Sequence, residues 1–129
     1  MNPEDRHYSN EHEWAKLEGG GSVQIGITEF AQEQLGDIVF VELPNTGVVL
    51  DQMQKIGEVE SVKSVSDIFS PISGEVTEVN QEIIGTPELV NQEPYGAGWL
   101  IRMVPSDPGQ LDQLMSAGEY DLFLNSLDH

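Results

Sequence analysis

Five residues of this chain are lysine or arginine, against 23 aspartates and glutamates, so each cation is scarce enough to ask what it is for. Lys63 has the most suggestive setting, in Glu60-Ser61-Val62-Lys63-Ser64-Val65-Ser66-Asp67. Small and β-branched residues flank it almost symmetrically. Val62 and Val65 are placed to anchor a tight turn, which would push the lysine stem into solvent at a hairpin tip. An ε-amine presented in that way is a good acceptor for acylation, which removes its charge and extends its arm. Spacing alone leaves the ordinary alternative open, a turn lysine that does no more than solvate.

No other set of residues has the pattern of a catalytic centre. The histidines, His7, His12 and His129, lack an HExxH or comparable ligand spacing. There is no Gly-x-Ser-x-Gly elbow, calcium loop or dinucleotide fingerprint. Gly19-Gly20-Gly21 is followed by Ser22 and a β-prone stretch rather than by Gly-Lys-Ser/Thr and a helix, so it reads as a turn and not a phosphate loop. The chain has no cysteine, which removes disulfides, zinc-thiolate sites and a thiol nucleophile together. A formal charge of -18 repels phosphate backbones and anionic bilayers, which argues against nucleic acid and membrane surfaces as partners. It suits larger proteins that carry basic patches. The carboxylates read mostly as a solvated acidic surface, and an enzyme acting alone is poorly supported.

The elements that must hold Lys63 are short and separated by glycine and proline. At 129 residues, the expectation is one domain spanning 1–129, large enough to bury about two thirds of its unfolded surface. Trp14 to Leu17 and Val23 to Ile27 read as a hairpin across the glycine turn. Thr28 to Leu35 reads as a short helix, with Thr28 as its cap, Glu29 in its first turn and Gly36 as its left-handed stop. Phe30, Ala31 and Leu35 are expected to face the core. Ile38 to Leu43 and Val48 to Leu50 follow as strands. Gly57 to Val62 runs up to the Lys63 turn, Val65 to Phe69 runs away from it, and Pro71-Ile72-Ser73-Gly74 leads into a strand over Glu75 to Val79. Short strands at close spacing predict a small barrel or sandwich, mainly β with short helices, of the α+β type. A helix start at Ser106-Asp107-Pro108 with Leu111, Leu114 and Met115 on one face is expected to stop at Gly118. A last short helix is expected over Tyr120 to Leu127. Met1 to Asn10 is polar, with no apolar core and a single Arg, so neither a secretory signal nor a transit peptide is expected and a cytoplasmic location is.

Blocks along the whole chain resemble the H protein of the glycine cleavage system. They are His12-Glu13-Trp14, Gly26-Ile27-Thr28, Gly36-Asp37-Ile38-Val39-Phe40-Val41-Glu42-Leu43-Pro44, Glu60-Ser61-Val62-Lys63, Ser66-Asp67, Pro71-Ile72-Ser73-Gly74-Glu75-Val76, Pro87-Glu88-Leu89-Val90-Asn91 and Pro94-Tyr95-Gly96 before Gly98-Trp99. The resemblance implies a barrel-sandwich hybrid of the lipoyl/biotinyl-carrier type, with an N-terminal hairpin and a C-terminal helix. It implies that Lys63 carries lipoic acid as a lipoamide, and that Glu60, Gly47 and Gly74 match the positions that lipoylation reads. It further implies a carrier rather than an enzyme. The aminomethyl group of glycine would pass from a pyridoxal-phosphate glycine decarboxylase to a tetrahydrofolate-dependent aminomethyltransferase. Dihydrolipoyl dehydrogenase would restore the dithiolane, and a lipoyl transferase or ligase would install the group. A monomer is expected, because one arm must meet several enzymes in turn. Glu13 and Asp67, both within matching blocks, are the carboxylates expected to receive a loaded arm that folds back onto the surface. Trp14, Trp99 and Tyr95 are expected to be packing residues.

Some departures from the pattern stand out. Gln81-Glu82-Ile83-Ile84-Gly85-Thr86, read as a loop, is apolar for the family, and the helix after Thr28 lacks the histidines many members carry. Three other readings remain open on sequence grounds. One is a lipoate-relay donor to other lipoyl-dependent enzymes. Another is an acidic binding module with an unmodified Lys63. The third, a carrier for a different complex, is the weakest: a biotinyl domain would have Met on both sides of the lysine, and a 2-oxo-acid dehydrogenase domain would read Asp-Lys-Ala.

Overall fold

The N-terminal hairpin sets the frame. In the computed structural model, which describes residues 2–127, β1 (His7–Tyr8), β2 (Glu13–Leu17) and β3 (Val23–Ile27) form consecutive antiparallel strands. Gly20 and Gly21 turn the chain between β2 and β3 at φ 92° and 91°, a backbone region that side chains with a Cβ rarely enter. Every residue of β3 is buried. At Gly26 the lack of a side chain is used directly: a Cβ there would lie 2.5 Å from Cζ2 of Trp14, whose ring occupies that space.

α1 (Glu29–Leu35) is capped by Thr28 Oγ1, which accepts the Ala31 N–H, and ends at Gly36 with φ 82°. β4 (Ile38–Glu42), β6 (Lys55–Ser61) and β7 (Val65–Phe69) make a three-stranded antiparallel sheet in the order β4-β6-β7. β5 (Val49–Leu50), β8 (Gly74–Val79) and β9 (Ile101–Pro105) extend the first sheet to six strands in the order β1-β2-β3-β9-β8-β5. Between the layers lie Ile25, Ile27, Val41, Val59, Ile68, Ile72, Val76, Leu100 and Met103, all buried. A second cluster, with Tyr8, Trp14 and Tyr120 fully buried, ties the N-terminus to the C-terminal helix. This is the two-layer β architecture with short helices, N-terminal hairpin and C-terminal helix that the sequence leads one to expect.

Several local expectations are corrected. Gln81–Gly85 is a short helix, α2, because Asn80 Oδ1 accepts the Glu82 N–H and nucleates the turn. A further turn of helix, α3, spans Leu89–Gln92. The segment after Asp107 is a 3-10 helix over Pro108–Gln113 rather than an α-helix. It ends early because Met115 leaves it to exchange two backbone hydrogen bonds with Tyr8, each 2.8 Å long. Gly118 stops nothing. It lies inside α4 (Ala117–Ser126), which starts at a capping box where the Ser116 side chain accepts the Glu119 N–H and the Glu119 carboxylate accepts the Ser116 N–H. On α1, Gln32 is the buried residue, while Ala31 and Leu35 are half-buried against the core.

Candidate functional site

Lys63 stands exposed in the turn between β6 and β7. The turn is organised by Ser61, a residue the sequence reading passed over. Its buried hydroxyl oxygen accepts the N–H groups of Lys63 and Ser64 at 3.1 Å each, and its O–H donates to the Ser64 carbonyl at 3.1 Å. The Ser61 N–H also donates to that carbonyl at 2.8 Å. Val62 and Val65, expected as anchors, are 67% and 56% exposed. Hydrogen bonds, not burial of the valines, set the turn. The Val62 N–H donates to the Asp37 carbonyl at 3.0 Å and so fastens the turn to the junction of α1 and β4.

The lysine stem lies back over Gly36, where a Cβ would stand 2.8 Å from Lys63 Cε and 3.5 Å from Nζ. Gly36 therefore serves twice, as a left-handed helix end and as floor for the lysine. Asn91 of α3 pins this floor. Its amide donates to the Gly36 carbonyl at 2.8 Å and to Gln32 Oε1 at 2.9 Å, and its Oδ1 accepts the Ile38 N–H at 2.9 Å. Nothing local in the sequence marks Asn91 for this task, which depends on packing of α3 against α1.

Leu35 and Gln34, just before Gly36, line a cleft of about 180 Å³ with His12, Phe30, Ser66 and Asp67. Asp67 is exposed and lies 3.3 Å from Lys55 Nζ. Lys55 also pairs with Glu58 at 2.7 Å, and that contact, more than Asp67, raises its pKa above the usual lysine value. The cleft thus combines apolar lining from Phe30 and Leu35 with one carboxylate, Asp67, that is already paired with Lys55.

Glu13 does not join Asp67 on the surface. Its side chain is fully buried between the sheets, where the Ser9 hydroxyl donates to Oε1 at 2.5 Å and the Phe69 N–H donates to Oε2 at 3.2 Å. Burial pushes this carboxyl up to about 7 against those hydrogen bonds. The expectation that Glu13 meets the arm at the surface is corrected: β2 turns this residue inward, with the core.

The remaining candidates are dispersed. Glu60 is exposed on β6, paired across the sheet with Phe40 on β4 and Val65 on β7. Gly47, in the turn before β5, and Gly74, the first residue of β8, lie at the six-stranded sheet. The Gly47 N–H donates to the Val76 carbonyl at 2.7 Å, with φ 89°. Gly74 is buried where a Cβ would collide with the Val104 carbonyl and lie 3.0 Å from Pro105 Cα. Gly74 lets β8 and β9 approach closely, while Gly47 supplies the positive-φ backbone of the turn before β5. Trp14 is fully buried, with its Nε1–H donating to the Ile27 and Pro94 carbonyls. Arg6 covers the Trp14 and Tyr95 rings, and Arg102 covers Trp99 at 4.2 Å; these aromatics pack, as expected. His129 lies outside the described residues. Among the described residues no cluster of His, Cys, Asp and Glu is arranged to hold a metal ion, and no helix is long and apolar enough to cross a membrane.

Two antiparallel layers with an exposed lysine on a fastened turn and a cleft beside it define a carrier domain of the lipoyl/biotinyl type. A family model described as Glycine cleavage H-protein matches residues 6–127. The chain belongs to that family, the H proteins of the glycine cleavage system, which are lipoyl carriers. The glycine cleavage system H protein of Staphylococcus carnosus is 51% identical over 118 residues, 92% of this chain and 93% of that one. That of Symbiobacterium thermophilum is 53% identical over 121 residues, 94% of each. A crystal structure of a glycine cleavage system H protein from Mycobacterium marinum superposes with a TM-score of 0.89 at 40% identity, covering 96% of this chain and 99% of that chain.

Proposed function

We propose that this chain carries its lipoyl group on Lys63 and shuttles the aminomethyl unit of glycine from the decarboxylase to the aminomethyltransferase. The observation that carries the assignment is the placement of Lys63: exposed on a serine-organised turn, with its stem over Gly36 and a cleft next to that floor. Lys63 Nζ would hold lipoate as an amide, giving up its positive charge. When bound, lipoate supplies a reducible disulfide at the end of a long flexible arm, a carrier for the one-carbon unit.

The protein's own residues do the rest. Ser61 and the Val62–Asp37 hydrogen bond keep the attachment point fixed relative to the sheets. Phe30 and Leu35 offer apolar surface to an arm lying in the cleft, and Asp67, paired with Lys55 at 3.3 Å, is the lining carboxylate that would face its amine. The arm then spends its resting time out of bulk water and swings out when a partner enzyme docks. Tethering raises the effective concentration of the group at each partner's active site to the millimolar range, roughly. Glu60, exposed three residues before Lys63, supplies a charge for a lipoyl transferase or ligase to read. Dihydrolipoyl dehydrogenase is the third partner of the cycle, and presenting one arm to each in turn suits a monomeric, single-domain chain.

Intact-mass measurement with peptide mapping, after incubation with lipoate, ATP and a lipoyl ligase, tests the assignment. The wild-type chain is expected to gain one lipoyl group, mapped to the peptide containing Lys63. Lys63→Arg is expected to gain none. A wild-type chain that stays unmodified, or a group on Lys55 or Lys16, would overturn it.

A further inference from the structure

Tyr120 belongs to α4, does not line the cleft, and yet touches His12, which does, and Thr28, which caps the helix that lines it. Its hydroxyl lies 2.8 Å from His12 Nδ1 and 2.8 Å from Thr28 Oγ1. His12 lines the cleft from the loop before β2, and Thr28 is the cap of α1, which brings Phe30 and Leu35 to the same cleft. The ring of Tyr120 is fully buried and stacked on Tyr8 at 4.8 Å, while His12 packs on Phe30 at 4.7 Å.

Hydrogen counting gives the chain of contacts a direction. Thr28 is fully buried, and its oxygen already accepts the Ala31 N–H at 3.2 Å. Among the described residues, the acceptor within reach of its hydroxyl proton is Tyr120. Tyr120 then spends its own proton on His12 Nδ1. In the opposite direction, with Nδ1–H donating to Tyr120 and Tyr120 to Thr28, the Thr28 proton would be buried without an acceptor, a state folded proteins rarely hold.

We propose that Tyr120 is a positioning residue for the arm cleft: the chain Thr28 Oγ1–H to Tyr120 Oη–H to His12 Nδ1 ties His12 to the cap of α1 and holds His12 as the neutral tautomer protonated on Nε2. The functional half of this rests on the cleft being the seat of the arm. Burial works in the same direction, lowering the affinity of His12 for a second proton against the pull of Glu11. With His12 neutral, the charged groups lining the cleft are the carboxylates Glu11 and Asp67. Lys55 pairs with Asp67 at 3.3 Å, so the favourable sign a cationic cargo meets comes from Glu11 and from the share of the Asp67 charge that Lys55 leaves uncompensated.

The test begins on the unlipoylated full chain, labelled with ¹⁵N, by reading the His12 tautomer from two-bond ring correlations. Wild type is expected to show the proton on Nε2. Tyr120→Phe keeps the ring stack and removes only the hydroxyl, and it is expected to give mixed tautomers. Thr28→Ser keeps the hydroxyl and is expected to look like wild type. A wild-type proton on Nδ1, or no change in Tyr120→Phe, overturns the proposal whatever the arm does. On the lipoylated, loaded chain, Tyr120→Phe is expected to lose its one-carbon unit about five-fold faster, the effect of one net hydrogen bond. An unchanged rate refutes the role in the cleft. If Asp67→Asn and Phe30→Ala also leave that rate unchanged, the seat itself is wrong, and the tautomer result shows which of the two ideas failed.

Discussion

Glu13 shows how far one residue's behaviour depends on where its strand turns it. In sequence it is an acidic residue beside Glu11 on a very acidic chain. In the fold it is fully buried and links β2 to the Phe69 backbone of the other sheet. Its carboxyl is raised from about 4.5 to about 7, so the folded state holds the proton more tightly than the unfolded chain does. Stability therefore carries no penalty from this group below about pH 4.5. It falls as pH rises between those values and bears the full cost, about 3 kcal/mol, above pH 7. Glu13→Gln is expected to gain stability relative to wild type across that window by about that amount, with little difference at pH 4.5; urea unfolding at pH 4.5 and 8 measures it. A difference independent of pH would mean that the carboxyl is not held neutral. The turn that exposes Lys63 was legible because the β-prone runs on either side delimit it. Ser61 was not, since any serine near a turn reads alike until the backbone shows which N–H groups face it.

At the scale of elements, the strands of the Lys63 hairpin and α1 were legible from punctuation and caps. The C-terminal third was read less well. Ser106-Asp107-Pro108 does start a helix, but pairing of Met115 with Tyr8 competes with its continuation, and that contact spans most of the chain. The start of α4 is local in origin. Ser116 and Glu119 satisfy each other's backbone N–H groups, which outweighs Gly118 in the first turn. Ser116→Ala is expected to cost about 1 kcal/mol, read as a lower urea midpoint. Because α4 carries Tyr120, amide exchange in the first turn of α4 should quicken more than in β3. Uniform quickening would indicate that α4 does not open separately.

For the whole molecule the governing quantity is charge. At -18, with the Lys63 turn flanked by Glu60 and Asp67, approach to a basic partner surface is steered over distances of about a Debye length, roughly 10 Å at 0.1 M salt. The proposed acylation of Lys63 would remove one of five cations and deepen that field. The association rate with the aminomethyltransferase proposed as a partner is expected to fall about ten-fold between 10 mM and 150 mM salt, with dissociation changing much less. Stopped-flow measurement at several ionic strengths checks this, and a flat profile would place recognition in apolar contact instead.

Composition, turn chemistry and the run of matching blocks determined by themselves the class of fold, the family and the lysine of interest, because these follow from local preferences and from residues adjacent in the chain. Tertiary structure decided the rest. The cleft takes His12, Phe30 and Asp67 from three separate elements, Asn91 reaches the floor under Lys63 only through packing of α3, and Glu13 faces inward because β2 is covered on that side. Such groupings depend on which surfaces meet once the two sheets close over a common core, and no spacing along the chain encodes that meeting.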